Sequence, residues 1–276
     1  MTLVLDETGD ERLVGADRVL ALLVELAGHP EGATLEELAA AMGGSKSTIH
    51  RALGSLVRSG LADQSGRGRY VLGDEFVHLA FRHHAARPET ERIEPVLRAL
   101  AERFGETAHY GVLDGRDIIY RAKVDPSVGA VKLTSVVGGR NQAATTAVGK
   151  VLLSGMLTTR EDVVAWLDGA PIEARTAHSI TTPDGLAAEL RRTRERGYGV
   201  DDQESELGVN CLAVPVCLDG SSTPTGAISV SGLAFRTPLA DLEAAAADIA
   251  ALVDAATPER VRAAAPGTPR SRRPPR

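Results

Sequence analysis

Apolar residues recur with helical spacing at Val19, Leu22, Leu23 and Leu26, an amphipathic helix that Gly28 and Pro30 close. Thr34, with Glu37 three residues on, has the form of a capping box. It opens a short helix that turns Leu35, Leu38, Ala39 and Met42 inward. Gly43-Gly44 then breaks the chain for a tight turn, and Ser45 caps a third helix. Its inward stripe is Ile49, Ala52, Leu53, Leu56 and Val57, and Gly60 ends it. Two short extended runs, Leu61–Gln64 and Arg69–Leu72, joined by Ser65-Gly66-Arg67-Gly68, predict a hairpin. Three helices and a hairpin, with a tight turn before the third helix, describe a winged helix-turn-helix over residues 14–74.

After Gly73 the spacing of Phe76, Leu79 and Ala80 predicts a linker helix, assigned to residues 75–92 and stopping before Pro88. Ile93, Val96, Leu97, Leu100, Ala101 and Phe104 mark another helix, ended by Gly105. Thr107–Leu113 and Ile118–Ala122 flank the turn pair Asp114-Gly115, and Val131–Val136 is a third strand candidate. Helices follow near 146–156, 160–168 and 183–196, strands near 198–201, 211–218 and 225–232. A single closing helix runs from Thr237-Pro238 to Ala256. The fold class is therefore α+β in two domains, the second spanning residues 93–256. Residues 1–13 and the Pro/Arg-rich tail 257–276 are expected to be disordered, the tail carrying too few apolar residues to fold.

Composition agrees: 276 residues suggest about two domains at roughly 150 residues each. With 43% hydrophobic and 25% charged residues the chain is ordinary for a globular protein. No apolar run reaches the ~18–20 residues of a membrane span, and the acidic first residues have the wrong sign for a secretory or organellar leader. Two cysteines, Cys211 and Cys217, are too few for a disulfide framework, so a cytoplasmic location is expected.

The formal charge of −6 argues against indiscriminate nucleic-acid binding, but it is unevenly placed. Residues 44–72 carry five basic side chains, Lys46, Arg51, Arg58, Arg67 and Arg69, against Asp63 alone. With the apolar stripe of the third helix inward, Ser47, Thr48 and His50 are placed to read base edges. Lys46 and Arg51 can pair with phosphate or a guanine edge. The N–H groups at the helix start, beside Ser45, favour a phosphate. Arg67 and Arg69 flank the hairpin tip, where they can enter a minor groove or hold backbone phosphate. The competing reading is an ordinary solvated helix face; the two hairpin arginines and the scarcity of acidic residues favour DNA.

In the second domain, Leu212, Val214, Val216 and Leu218 alternate onto one strand face and Cys211, Ala213, Pro215 and Cys217 onto the other. The next strand repeats the pattern, Ile228 and Val230 against Ala227, Ser229 and Ser231. Two faces of small, weakly polar side chains suit either a small-ligand pocket or a closely packed helix, and the residues alone leave both open.

Residues 34–53, from Thr34 to Leu53, resemble the helix-turn-helix of IclR-type bacterial transcriptional regulators almost position by position. The distal half is similar too, at Gly138-Gly139-Arg140, at 146–150 and 197–202, and at the 208–216 and 227–232 blocks. The resemblance implies a GAF-like α/β effector-binding domain for residues 93–256, and dimers or tetramers on palindromic double-stranded operator DNA. It further implies a small-molecule effector, possibly a carboxylate, that modulates operator binding. Its contacts would be Ala147, Val148, Asp201, Cys211, Ser229 and Ser231. The chain departs from many members at Gln142-Ala143-Ala144, where they carry Pro-Leu-His.

Enzyme readings are weak. No cysteine-enzyme signature surrounds Cys211, and adjacent His83-His84 diverge on a helix and make a poor metal pair. Gly43-Gly44-Ser45-Lys46-Ser47 lacks the spacing of a phosphate loop. No catalytic residue, metal or cofactor is expected. The alternative from another class is a sensor or enzymatic α/β domain whose winged helix serves protein contacts.

Overall fold

The first apolar stripe forms helix α1 (Gly15–Ala27), whose Leu22 and Leu26 are buried with side chains of α2 (Leu35–Ala41) and α3 (Lys46–Arg58). The computed structural model describes residues 15–127, 133–218 and 223–256; the expected disordered termini, 1–13 and 257–276, fall outside them. The chain divides into two units at Arg87 and Pro88, each with its own core.

In the first unit Glu37 N–H donates to Thr34 Oγ1 at 3.2 Å and Thr34 N–H to Glu37 Oε2 at 2.7 Å, which fixes the start of α2. Gly43 turns the chain with φ +58°, and Ser45 Oγ accepts from Thr48 N–H to start α3. The predicted hairpin is β2 (Ala62–Ser65) and β3 (Arg69–Leu72). β1 (Ala33–Thr34), too short to show alternation, pairs with β3 to give the order β1–β3–β2. Helix α4 (Asp74–Ala85) buries none of its residues, and Phe76, Val77, Leu79 and Phe81 remain exposed on it.

The second unit is built on a six-stranded antiparallel sheet. Its strands are β4 (Thr107–Asp114), β5 (Asp117–Val124), β6 (Arg140–Gln142), β7 (Gly199–Asp202), β8 (Val209–Val216) and β9 (Gly226–Leu233), in the order β6–β5–β4–β9–β8–β7. Leu212, Val214, Ile228 and Val230 face α5 (Pro88–Phe104) and α10 (Ala246–Ala256), packing with Leu97, Leu100, Ile249 and Val253. On the opposite face Ala213 and Ala227 pack with Val148 and Leu152 of α6 (Ala147–Met156). Beyond α6 lie α7 (Arg160–Leu167) and α8 (Pro183–Arg196), which contributes Leu186 and Leu190. Helices on both faces of this sheet are the expected α/β architecture, and a GAF-like arrangement is compatible with it.

Three elements differ from expectation. The linker helix, assigned to 75–92, ends at Ala85, and residues 88–92 open α5 in the second unit, whose apolar stripe begins only at Ile93. Val131–Val136 predicts a strand; residues 131 and 132 lie outside the described residues, and 133–136 are not a strand. The carbonyls of Leu133 and Ser135 accept instead from Lys123 Nζ, at 2.9 and 2.8 Å, so a side chain takes the place of a ladder. The chain joins the β5 edge at Gly138 (φ +84°), whose N–H donates to the Tyr120 carbonyl at 2.7 Å, and continues along it as β6. The closing helix is broken at Ala245 into α9 (Leu239–Ala244) and α10. The Ala245 N–H is shared among the carbonyls of Asp241, Leu242 and Glu243, a tightened turn that places Leu242 as well as Ile249 and Val253 in the core.

Candidate functional site

In the first unit α3 buries Ile49, Ala52, Leu53 and Leu56 and presents Ser45, Lys46, Ser47, His50 and Arg51 to solvent, with Thr48 half-buried. Ser45 Oγ lies 3.0 Å from Ser47 Oγ and 2.9 Å from Thr48 Oγ1, so the three hydroxyls form one cluster at the helix start. Lys46 Nζ pairs with Glu36 at 2.8 Å, and that ammonium holds the Glu36 carboxyl below its ordinary range. The Arg51 guanidinium has no partner among the described residues. Arg69 is committed elsewhere: its Nε and Nη2 donate to the Gly32 carbonyl at 3.1 and 2.6 Å, and Nη2 lies 3.3 Å from Glu37. It fastens the hairpin to the segment before α2. Arg67 sits in the short turn Gly66–Gly68, its side chain outside the described residues.

In the second unit strand register sets the polar residues in two adjoining rows on the α6 side of the sheet. One row runs Asp201, Cys211, Ser231 and Thr107, and the next Gly199, Ala213, Ser229 and His109. Four of the sequence-predicted residues therefore share one patch, joined by Thr107 and His109. Ala147 and Val148 open α6; Thr146 Oγ1 accepts from Gly149 N–H at 3.1 Å and leaves the N–H groups of Ala147 and Val148 without an acceptor among the described residues. Cys211 and Tyr120 keep part of their surface open to water. Burial, and then the Asp201 carboxylate, push the Cys211 thiol well up, so it stays protonated at neutral pH.

Asp201 is engaged within the protein. Its Oδ1 accepts from the N–H groups of Glu204 and Ser205 at 2.7 and 3.2 Å, and Oδ2 accepts from the Ser205 hydroxyl. It holds a turn in which Gln203 has φ +57°, and Thr176 Oγ1 and Ser179 Oγ brace the carbonyls of Gln203 and Glu204 at 2.7 Å each. Beneath that turn, Lys150 is completely buried on α6 and donates to the Val200 carbonyl at 2.9 Å and to Glu204 Oε1. The other Glu204 oxygen has no hydrogen-bond partner among the described residues, and burial raises this carboxyl.

The sequence reading gives no role to Lys150, the last residue of the matched block 146–150, or to His109. Lys150 has a signal, a lone cation inside the apolar run Ala147–Leu153; His109 has one too, alternating with Thr107 and Gly111 on β4. His109 Nε2 is 2.8 Å from Ser135 Oγ, and its ring lies 4.6 Å from that of Tyr120. Burial first, and then the nearby Lys123 ammonium, push its pKa down to about 3, against the opposing pull of Asp125. A folded value below the unfolded one, near 6.5, means that the unfolded chain takes up the proton first. Native stability should fall as pH drops from about 6.5 towards 3, by about 1.4 kcal/mol per pH unit from this group. Urea titrations across that range check this, and His109→Phe should remove that share of the slope.

Residues 88–257 match the family described as bacterial transcriptional regulator IclR, C-terminal, and residues 15–66 match the IclR helix-turn-helix domain. This chain belongs to the IclR family. It is a DNA-binding transcriptional regulator with a C-terminal effector-binding domain. The HTH-type transcriptional regulator XynR of Escherichia coli is 33% identical to this IclR-family chain over 209 residues, covering 75% of this chain and 81% of XynR. An IclR transcriptional regulator from Alicyclobacillus acidocaldarius shares the fold with TM-score 0.73 at 22% identity, over 88% of this chain and 98% of that one. An IclR homolog from Microbacterium hydrocarbonoxydans, solved with 4-hydroxybenzoate, has TM-score 0.67 at 20% identity, over 86% and 98%. The alternative of a winged helix serving only protein contacts is not favoured by these relationships.

Proposed function

We propose that this regulator binds palindromic operator DNA as a dimer or tetramer in the cytoplasm, and that a small carboxylic acid held in a recess between the polar patch of the sheet and the start of α6 modulates that binding. The observation that carries the DNA reading is α3, with an apolar face buried and Ser47, His50 and an Arg51 without a partner among the described residues facing outward. Ser45, Ser47, Thr48 and His50 face base edges, Lys46 and Arg51 take phosphate or guanine, and Arg67 reaches the groove beside the hairpin. Arg69 serves by holding the hairpin in place. The exposed apolar side chains of α4 supply a surface for self-association.

In the effector site the N–H groups of Ala147 and Val148 receive the carboxylate. Cys211, Ser229 and Ser231 line the recess, and Asp201 acts through its turn. The 4-hydroxybenzoate held by the Microbacterium homolog supports an acidic ligand class. We assign the chain no catalytic residue, and burial keeps the partly open Cys211 thiol protonated. Among the described residues no helix is long and apolar enough to cross a membrane.

In a gel shift on the gene's own upstream DNA, Arg51→Ala should cost about 1–3 kcal/mol, roughly 5- to 150-fold in affinity. Lys46→Ala should lower the salt slope by about one, with a smaller loss because Glu36 already holds that ammonium. Unchanged affinity and salt slope in both variants would overturn the reading.

A further inference from the structure

We propose that His109 sets the specificity of the effector site for a small carboxylic acid bearing an uncharged hydroxyl, with that hydroxyl received between the His109 imidazole and the Ser231 side chain. The inference rests on the effector-site reading above and deepens it.

Three polar groups meet at this point, all nearly out of contact with water: His109, Ser229 and Ser231 are 2 to 3% exposed. Their mutual contacts are stretched. His109 Nδ1 lies 3.4 Å from Ser231 Oγ, and Ser231 Oγ lies 3.5 Å from Ser229 Oγ, both at the outer limit of a hydrogen bond. The other face of the same imidazole is well satisfied, at 2.8 Å from Ser135 Oγ. Buried polar groups left with poor partners are costly, and a group that both donates and accepts would relieve them together.

Charge selects a hydroxyl for this place. The His109 ring is neutral at physiological pH. Lys123, which faces it from β5, gives its ammonium to the carbonyls of Leu133 and Ser135 and to Asp125 at 3.1 Å. A carboxylate set against His109 would therefore be buried without a cation, whereas a neutral hydroxyl carries no such penalty. Tyr120, packed on the ring from the same strand, stays protonated and adds no charge.

Calorimetric titration of the full chain tests this with two probe pairs, 4-hydroxybenzoate against benzoate and 3-hydroxybutyrate against butyrate. Wild type should prefer the hydroxylated member of at least one pair by tenfold or more. His109→Phe keeps the ring against Tyr120 and loses both nitrogens; it should bring that ratio within twofold by weakening the hydroxylated member alone. His109→Gln, which retains a donor and an acceptor, should recover part of it. A purely structural role would weaken both members equally, and an unchanged ratio in His109→Phe, or in His109→Gln should the phenylalanine variant fail to fold, overturns the assignment. Binding of neither pair by wild type overturns the hydroxy-acid class. Ser231→Leu tests the underlying site: probes that bind it as they bind wild type place the effector elsewhere, whatever His109 does.

Discussion

Lys150→Met should destabilise the C-terminal unit by about 3–5 kcal/mol at pH 8, the usual cost of removing one partner from a buried ion pair. Methionine fills nearly the same volume, so the loss is electrostatic. Glu204 would keep one oxygen already without a partner and lose the only cation on the other, and the Val200 carbonyl would lose its donor. The sign of the pH dependence follows from burial. The folded-state pKa of Glu204 is already raised and would rise further without the ammonium. A raised carboxyl binds its proton more tightly in the native state, so native stability is lost as pH rises through that pKa and regained as pH falls. Denaturant titrations should show the variant's deficit shrinking between pH 8 and pH 5, and Lys150→Met with Glu204→Gln should recover most of it. A deficit below 1 kcal/mol would mean that the pair adds nothing the interior requires.

Gly149→Ala should cost about 3 kcal/mol, the upper end for an overpacked core. A Cβ there would lie 2.1 Å from the Ala143 carbonyl oxygen and 2.4 Å from its Cα, and backbone cannot move aside as a side chain can. The same helix supplies the control. At Gly155 a Cβ would meet only Pro224 Cδ, at 3.7 Å, so Gly155→Ala should be neutral or stabilise by up to about 1 kcal/mol through helix propensity. Opposite signs for one chemical change on one helix would show that close approach, not flexibility, requires Gly149. Thermal unfolding of the two variants side by side decides it.

Where the chain carries its own punctuation, the fold was legible in the sequence. Thr34 with Glu37, Gly43-Gly44, Ser45 and Gly60 each bound an element of the reading head, and every one of its three helices lies where these residues place it. Alternation in β8 and β9 divided the two faces of the sheet correctly. Ala213 and Ala227 pack with α6, and Cys211, Ser229 and Ser231 lie on the same face of the sheet. Long-range pairing was not legible. β4 lies between β5 and β9, more than a hundred residues apart in sequence, and three-residue β6 has no period to detect. The break at Ala245 has no glycine or proline to announce it, because a shared carbonyl contact makes it. The bond from Arg69 to the Gly32 carbonyl joins residues 37 positions apart and has no local signal in the sequence.

The two-sided sheet has a mechanical consequence. His109, Cys211 and Ser229 are each bonded in sequence to a residue in the opposite core: His109 lies between Ala108 and Tyr110, Cys211 beside Leu212, and Ser229 between Ile228 and Val230. The sheet is thus a diaphragm one residue thick. Any change that rotates a peptide plane on the α6 side also displaces the leucine, isoleucine or valine bearing against α5 and α10, because close-packed interiors have little slack to absorb it.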